Sequence, residues 1–570
     1  MRLSCFALLL PAALFAQAPD LILHNGKIVT VDDGFTVAQA FAVRGDRIAA
    51  VGPNDSVLRL RGASTRVIDL QGKTVLPGLI DSHVHATGAS MYEFDHPIGD
   101  METVADVLNY IRSRAAVVPE GEWIVLQQVF ITRLREQRYP TRAELDQAAP
   151  RHPVAFRTGP DASLNSLALA RSGITRDKEP PAGATGKVER DLKTKEPTGI
   201  VRGAGEFLRI PSSGRRVTLA DREKQLKLLF TDYNSLGITS VADRNAGDDA
   251  VELYRGLRQR NELTCRVFLS YSVNAQAPEA DIEARMKKAA ASPLHRYDNF
   301  LWLRGIKVFL DGGMLTGSAY MRQPWGVSEI YSITDPNYRG MLYIQPDKLR
   351  FIARTALMNE LQPTAHSVGD GAVHALIDAY EAINKEKPVR DGRPCITHCN
   401  FMSLEAVRKM AELGIVADLQ PAWLERDGAT LHKQFGAARL RYFQPYKTLF
   451  EHGVKVGGGS DHMQKIGGLR SINPYHPFFG MWIALARQPR WTDQPVSPEE
   501  RITRQQAIRL YTTNNAFLTF EEKEKGSIEP GKLADFFILT DDILTCPLDR
   551  VKDIAAERTW VGGKLVWERK

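Results

Sequence analysis

The middle of the chain alternates short apolar segments with longer segments of helical periodicity. Runs with the apolar spacing of helices, such as 220–236, 346–360, 371–385 and 403–413, lie between many of the short segments. This alternation predicts a parallel sheet with helices outside, and eight units favour a closed (β/α)8 barrel, an α/β fold. An open doubly wound sheet is the alternative, but no GxGxxG motif opens a first helix. The eight predicted strands are 74–85, 237–244, 264–272, 302–313, 362–370, 393–400, 414–421 and 454–461.

The two ends of the chain have a different pattern, in which short strands are separated by turns that contain glycine. Residues 19–74 include Asn25-Gly26, a dipeptide typical of hairpin turns because both residues tolerate positive φ. Residues 526–570 have the same pattern. We expect the two pieces to pair into one small β-sandwich domain that brings the chain ends together. The barrel then occupies 75–525, with an insertion at about 101–216 after its first strand.

Residues 1–18 have the layout of a secretory signal peptide. Arg2 precedes a nearly continuous apolar run, and Ala16-Gln17-Ala18 offers a small-x-small cleavage site. The run is too short to span a membrane, and no other apolar stretch reaches eighteen residues. The sequence therefore predicts an exported protein, periplasmic or extracellular, with no membrane segment after cleavage. A buried N-terminal helix is the alternative.

Composition narrows the function classes. With 43% hydrophobic and 25% charged residues, the chain is globular rather than disordered. The net charge of +7 over 570 residues includes no basic run of the kind that binds nucleic acid, so we expect no nucleic-acid partner. The expected partner, a small-molecule substrate, is implied by the family resemblance given below. The four cysteines beyond the signal segment are too few for a disulfide framework, and we expect buried thiols.

Histidines, an aspartate and a lysine fall at or near the C-terminal ends of predicted strands, where the active sites of such barrels form. His83 and His85 are two residues apart on an extended segment, so both imidazoles point the same way. Lys307 lies in an apolar strand, where an unpaired ammonium is costly; a structural salt bridge is one explanation. Six residues share this placement: His83, His85, Lys307, His366, His398 and Asp461.

Motifs along the whole chain resemble the metal-dependent amidohydrolase superfamily, and more narrowly amidohydrolase family 3, which contains N-substituted formamide deformylases. The resemblance implies that His83, His85 and Asp461 bind one metal, that His366 and His398 bind a second, and that Lys307, carboxylated, bridges the two. Such ligands suit zinc, although iron, manganese or nickel also fit. The motifs are VLPGLIDSHVH, HPVAFRTG, EPTGIVRG, LGITSVAD, GIKVFLDGG, AHSVGDGAV, THCN, GGGSDH and KGSIEPGKLADFFIL.

The implied activity is metal-assisted hydrolysis of a non-peptide, amide-like C–N bond. Asp461 is expected to carry the proton, and His366 and His398 are the further candidate catalytic residues. An ester, lactone or dipeptide hydrolase would use the same centre. A non-catalytic exported binding protein is the alternative of another class.

The chain departs from the family pattern at positions expected near the substrate. Pro160 replaces a usual His, Thr397 replaces a frequent Glu, and His462-Met463 replaces a small residue and Pro. Specificity is therefore the property that the resemblance defines least.

Two residues near the site keep two interpretations each. His462 contacts substrate or lies in an exposed loop. Asp370 accepts the second N–H of His366, as partners of metal-binding histidines do, or caps a helix.

Overall fold

The computed structural model describes residues 18–177, 186–208, 210 and 216–570. The predicted signal peptide lies outside the described residues, apart from Ala18. Eight parallel strands in chain order form one sheet that curls into a barrel, which confirms the predicted (β/α)8 fold. The strands are β1 (Leu79–Val84), β2 (Ile238–Ala246), β3 (Arg266–Ser272), β4 (Leu301–Phe309), β5 (Gln362–Ser367), β6 (Cys395–His398), β7 (Val416–Leu419) and β8 (Val456–Gly458).

Helices connect successive strands and cover the outside of the barrel. The helix Leu404–Leu413 shows how the sequence sets its limits: the Ser403 hydroxyl accepts the N–H of Ala406 at 3.1 Å, and Gly414 ends the helix at φ 69°. The principal barrel helices are Leu219–Ser235, Asp248–Gln259, Glu279–Ala290, Pro346–Met358, Asp370–Asn384, Leu404–Leu413, Ala422–Arg439, Tyr446–Glu451, Pro477–Ala486, Arg504–Leu510 and Thr513–Leu518. None of the described helices is long and apolar enough to cross a bilayer.

The barrel closes where β8 meets β1. Glycines allow the close approach: a Cβ on Gly457 would lie 2.1 Å from Oδ1 of Asn515, and one on Gly459 would lie 2.9 Å from the backbone N of His83. Beyond the strand ends, the N–H of Asp461 donates to the carbonyl of His83 at 2.8 Å. The N–H of His85 donates to the carbonyl of His462 at the same distance. The first and last strands are thus joined at the level of the predicted metal ligands.

Strands from both ends of the chain build a second, smaller β domain. The strand Thr74–Pro77 pairs with Phe536–Leu539 in a six-stranded sheet, which also contains Lys27–Val29, Val37–Ala38, Ala556–Val561 and Lys564–Glu568. A four-stranded sheet of Leu21–His24, Ala40–Arg44, Arg47–Gly52 and Arg66–Asp69 packs against it, with the short helix Asn54–Leu58. Between the sheets, the rings of Phe41 and Phe536 have centroids 4.8 Å apart.

One local expectation was wrong. Asn25-Gly26 does not close a hairpin, because the strands on its two sides belong to different sheets. Gly26 is packed so closely that a Cβ would lie 2.3 Å from Cδ1 of Leu70. The turn carries the chain from one layer of the small domain to the other.

The segment between β1 and the helix Leu219–Ser235 folds as a separate layer. Its five-stranded sheet contains Ile124–Leu126, Val154–Thr158, Asp161–Leu164, Lys187–Arg190 and Pro197–Arg202, and its helices are Val104–Ala115, Arg142–Ala148 and Ser166–Arg171. The layer supplies Phe130 and Pro160 to a cavity that the C-terminal ends of the barrel strands also line. The insertion therefore forms part of the wall of the site.

Candidate metal centre

A compact group of metal-binding side chains lies at the C-terminal mouth of the barrel. His83, His85 and Asp461 each offer a ligand atom, and these atoms lie within 4.8 Å of one another. Nε2 of His85 is 3.1 Å and Nε2 of His83 is 3.4 Å from Oδ1 of Asp461. Two imidazoles and a carboxylate at these separations fit a single divalent ion.

Lys307 lies beside this group, completely buried in β4. Its Nζ is 3.5 Å from Nε2 of His83 and 3.3 Å from the hydroxyl of Thr397. Within the described part of the chain it forms no ion pair, so the salt-bridge explanation has no partner here. Burial lowers the pKa of Lys307 to about 8.

His366 and His398 extend the group away from β1. The ring of His398 has its centroid 5.1 Å from that of His83 and 4.5 Å from that of His366. Burial holds the pKa of His398 well below its ordinary value and lowers the pKa of His366 to about 3. Both imidazoles are therefore neutral at physiological pH and keep a lone pair for a metal. The structure brings all six predicted residues to one place.

The end of β7, which supplies no predicted ligand, orients two of these histidines. Nδ1 of His83 donates to Oδ2 of Asp418 at 3.1 Å, and Nδ1 of His398 donates to Oε1 of Gln420 at 2.7 Å. The hydroxyl of Ser82 and Nε2 of Gln420 donate to the other carboxylate oxygen of Asp418, at 2.6 and 3.2 Å. With both Nδ1 atoms engaged, each ring keeps Nε2 for a metal.

The carboxylate beside His366 is that of Asp311, and Asp370 does not take this place. Oδ1 of Asp311 is 3.6 Å from Nε2 of His366. Asp370 does not cap the helix Asp370–Asn384 either, because the N-cap position is Gly369; Oδ1 of Asp370 accepts the backbone N–H of Arg322 at 2.8 Å. Burial raises the pKa of Asp311 to about 7, although its carboxyl group accepts three backbone N–H groups.

His462 is neither exposed nor part of the cavity wall, contrary to both interpretations. It is fully buried, with Nδ1 2.7 Å from the Tyr233 hydroxyl and Nε2 2.7 Å from the carbonyl of Gln464. Because its backbone pairs with β1, its side chain turns into the protein, where burial lowers its pKa to about 4. The next residue, Met463, lines the cavity instead.

The backbone is strained at two of the candidate ligands. Asp461 has φ 54° and His398 has φ 81°, values in the left-handed region that side chains rarely adopt. The carbonyl of Asp461 accepts a hydrogen bond from Nδ2 of Asn473 at 2.7 Å, which holds this conformation. Strain of this kind is concentrated at functional sites.

Comparison with known proteins identifies the family. The family model described as "Amidohydrolase family" matches residues 66–567. The chain belongs to the amidohydrolase family. As a member, it is a metal-dependent hydrolase that acts on carbon–nitrogen bonds.

Individual relatives of this amidohydrolase cover almost its whole length. It is 29% identical to N-substituted formamide deformylase of Arthrobacter pascens over 97% of this chain and 99% of that protein. It is 27% identical to protein LONG AFTER FAR-RED 3 of Arabidopsis thaliana over 98% and 92% of the two chains. An uncharacterized metal-dependent hydrolase from Pyrococcus furiosus has the same fold, with a TM-score of 0.64 at 22% identity over 92% of this chain and 100% of that one.

The candidate ligands of the amidohydrolase lie at one end of a cavity of about 580 Å³. Two of the positions that depart from the family pattern, Pro160 and Met463, line it, and Trp423 stacks on His398 with centroids 4.7 Å apart. Lys307 is the single cation among the described lining residues. The aromatic residues of the wall are Tyr92, Phe130, Phe309, Tyr343 and Trp423.

Reasoning from the sequence missed the buried polar residues that support the ligands. Asp418 and Gln420 are two residues apart, so they point the same way, and a polar pair at the end of the apolar segment GIVADLQP was a usable signal. Asp311 lies two residues after the end of the strand of Lys307 and gave the same kind of signal.

Proposed function

We propose that this amidohydrolase hydrolyses a non-peptide C–N bond in an uncharged, amide-like substrate. The observation that carries the proposal is the group of three histidines, Asp461 and Lys307, buried or partly buried in the wall of a cavity with aromatic residues. A fourth histidine, His83, lies beside Lys307, with its Nε2 3.5 Å from Nζ. The relative named N-substituted formamide deformylase supports an N-substituted amide as the substrate class.

The residues present fit one or two divalent ions, and zinc is the metal we propose. His83, His85 and Asp461 would hold one ion, and His366 and His398 would hold the other. Neutral imidazoles with Nδ1 already hydrogen-bonded, together with a carboxylate, are the donors that zinc prefers. A bound divalent metal supplies hydroxide near neutral pH and polarises a carbonyl group.

Asp461 is the proposed proton carrier. Its carboxylate lines the cavity and lies 3.1 Å from Nε2 of His85, while Nδ2 of Asn473 approaches the second oxygen at 3.4 Å. It accepts a proton from the attacking water and returns it to the leaving nitrogen. His366 and His398 face the same cavity and orient the carbonyl of the substrate.

Lys307 is proposed to carry a carbamate. Since burial lowers its pKa to about 8, a substantial fraction of the amine is neutral at physiological pH. The ammonium first loses one proton. The neutral nitrogen then attacks carbon dioxide, one N–C bond forms as one C–O π bond breaks, and a second proton is released, so that a buried cation becomes an anion. We expect the intact-protein mass measured under native conditions to exceed the mass of the same mature, metal-loaded chain with an unmodified lysine by one carbon dioxide. A metal-loaded sample with an unmodified lysine would contradict the carbamate.

The charge of the cavity wall separates the candidate substrates. A dipeptide brings a carboxylate, and the described wall offers no arginine to pair with it. Besides the candidate ligand Asp461, the wall holds Asp243 and Asp311, and burial raises the pKa of both. Esters and lactones are uncharged and remain the second candidate. A protein that only binds such molecules would need none of the proton-carrying geometry at Asp461.

A substrate panel tests the proposal. Metal-depleted enzyme is reloaded with zinc and assayed with an N-substituted formamide, the matching acetamide, the matching ester and a dipeptide with the same aromatic group. We expect zinc-dependent hydrolysis, with kcat/KM for an uncharged amide at least about tenfold above that for the dipeptide. A preference for the dipeptide would contradict the charge argument, and no zinc-dependent turnover of any compound would contradict the function.

We also propose that the protein is exported. The support is the layout of residues 1–18, and the experiment is N-terminal sequencing of protein recovered from the medium or periplasm of an expressing cell. We expect the mature chain to begin at Pro19. An intact Met1 in the cytoplasmic fraction would contradict export.

A further inference from the structure

A second, smaller cavity of about 140 Å³ lies next to the metal cavity. Tyr92 and Phe130 line both, so their side chains separate the two spaces. The smaller cavity is below the roughly 300 Å³ at which clefts begin to take drug-sized ligands. Its wall contains two carboxylates, Asp100 and Glu102, and a larger number of cations: Arg133, Arg426, Lys465, Arg470 and Arg490.

Some of these cations already have carboxylate partners. Arg133 makes a two-point ion pair with the fully buried Asp427, at 3.1 and 2.9 Å. Lys465 is 2.8 Å from Asp100. Arg470 has a partner as well, Glu93 at 3.1 Å. Arg426 lies 3.3 Å from Glu425, so Arg490 is the one cation of this wall without an ion pair among the described residues.

Two hydrogen-bond donors of the wall have no partner among the described residues, and a third has only an ion pair with an adjacent carboxylate. The Ser471 hydroxyl, in a residue 2% exposed, makes no hydrogen bond, and neither does the buried Nη2 of Arg490. Nε of Arg426 is buried without a hydrogen bond, although it lies 3.3 Å from a carboxylate oxygen of Glu425. Buried donors without acceptors are rare in folded proteins because each costs free energy.

The charges around Arg490 also favour a bound anion. Its Nε donates to the carbonyl of Arg426 at 3.2 Å, which brings the two guanidinium groups together. Burial, and then the charges of Arg133 and Arg426, lower the pKa of Arg490 to about 10, and the carboxylates of Asp427 and Glu425 offset only part of this shift. A negative charge between these groups would relieve the repulsion.

We propose that this cavity binds a small oxyanion, held by Arg490 and Ser471 with Arg426 beside them. An oxyanion supplies acceptors to the unsatisfied donors, and its hydrogen bonds to guanidinium groups are of the strong, charge-assisted kind. The ligand is a free phosphate, sulfate or carboxylate ion, or the same group on a larger molecule that reaches past Phe130.

The site is close to the metal centre in the hydrogen-bond network. Nη1 of Arg133 donates to Oδ1 of Asn473 at 2.8 Å, and Nδ2 of Asn473 donates to the carbonyl of Asp461 at 2.7 Å. One wall of the oxyanion site is therefore two hydrogen bonds from a candidate metal ligand. Kinetic effects of a bound anion are measurable for that reason.

Titration calorimetry on the full-length, zinc-loaded enzyme tests the proposal with inorganic phosphate, sulfate and acetate. Chloride at equal ionic strength is the control for screening. We expect saturable binding of at least one oxyanion and none of chloride. Arg490→Gln should weaken it about tenfold or more, and Ser471→Ala, which removes one donor and no charge, about two- to tenfold. Arg354→Gln, which removes an exposed guanidinium paired with Glu386, should bind like the wild type.

The result that overturns the site is the absence of saturable binding for all three oxyanions, or equal binding by the wild type, Arg490→Gln and Ser471→Ala. Zinc content and circular dichroism establish that each variant is folded, and Ser471→Ala alone decides the matter if Arg490→Gln fails to fold. Steady-state kinetics with two matched substrates, one uncharged and one that carries a carboxylate, then separate the two sources. A free ion leaves KM unchanged, whereas an ion that occupies the place of a substrate group raises the KM of substrates that carry this group.

Discussion

The substitution Asp418→Asn isolates the contribution of β7 to metal binding. Asp418 is fully buried and accepts hydrogen bonds from Nδ1 of His83, the hydroxyl of Ser82 and Nε2 of Gln420. Asparagine keeps the shape of the side chain but removes the charge and replaces one acceptor oxygen by a donor. Solvent cannot compensate for the change at a site without exposure. We expect His83 to lose its charged partner and part of its orientation.

The magnitude follows from the kind of hydrogen bond that is lost. A hydrogen bond to a charged group contributes about 1.5–3 kcal/mol and one between neutral groups about 0.5–1.5 kcal/mol. The difference, about 1–1.5 kcal/mol, corresponds to roughly a tenfold change in an equilibrium constant. Losses of about 10- to 100-fold are typical when a residue that supports a metal ligand is changed. We therefore expect the zinc affinity to fall about tenfold.

Competition with a chromogenic chelator measures this affinity, and Asp535→Asn provides the matched control. Asp535 is also buried, and its carboxylate forms an ion pair with Arg266 at 2.7 and 2.9 Å, at the N-terminal end of β3 and far from the histidines. We expect this control to lower Tm without changing the zinc affinity. Wild-type affinity in Asp418→Asn, or an equal loss in the control, would refute the reasoning.

Three further outcomes are expected. Asp461→Asn should retain zinc but lose about 10²–10⁴-fold in kcat, because proton transfer contributes about this much; wild-type turnover would contradict its role. Burial lowers the pKa of His476 to about 4, so the unfolded chain takes up a proton below about pH 6.5 while the folded one does not. The wild type should therefore lose about 3 kcal/mol more stability between pH 7 and 4 than His476→Asn, which caps its helix without titrating; equal changes in Tm would contradict this. Thiol-blocking reagents should leave activity intact, since the four described cysteines are buried: Cys265, Cys395, Cys399 and Cys546.

Apolar periodicity predicted the order of the barrel strands and helices. It could not predict that one continuous apolar segment forms two strands that pair in different sheets. The predicted strand 74–85 is two strands: Thr74–Pro77 pairs in the small domain, and Leu79–Val84 is β1. Gly78 lies between them, where a Cβ would be 2.1 Å from the hydroxyl of Thr239. Periodicity records which faces are buried, not which sheet buries them, and the same limit produced the wrong hairpin at Asn25-Gly26.

At the site, the residue types predicted which side chains could bind a metal, but the sequence did not predict how deeply each side chain is buried or what it contacts. Histidines at strand ends suggest a metal by chemistry alone, so His83 and His398 were identified before any geometry was known. The burial of His462 depends on the closure of β8 against β1, which no local pattern encodes. Asp418 supports His83 from 335 positions away in the sequence, and only the fold brings the two together.

The junction of β1 and β8 has a consequence for how the enzyme acquires its metal. β8 is three residues long and ends in two glycines, so few side chains hold it in place. The candidate ligands stand on both sides of this junction: His83 and His85 come from the first strand, and Asp461 follows the last. An ion bound there would link the first strand to the last and so stabilise the closed barrel. Metal binding would then be complete only after the last strand has been synthesised and has paired with the first. Removal of the ion should then open the ring locally, with amide exchange rising first at β8 while the helices outside stay protected.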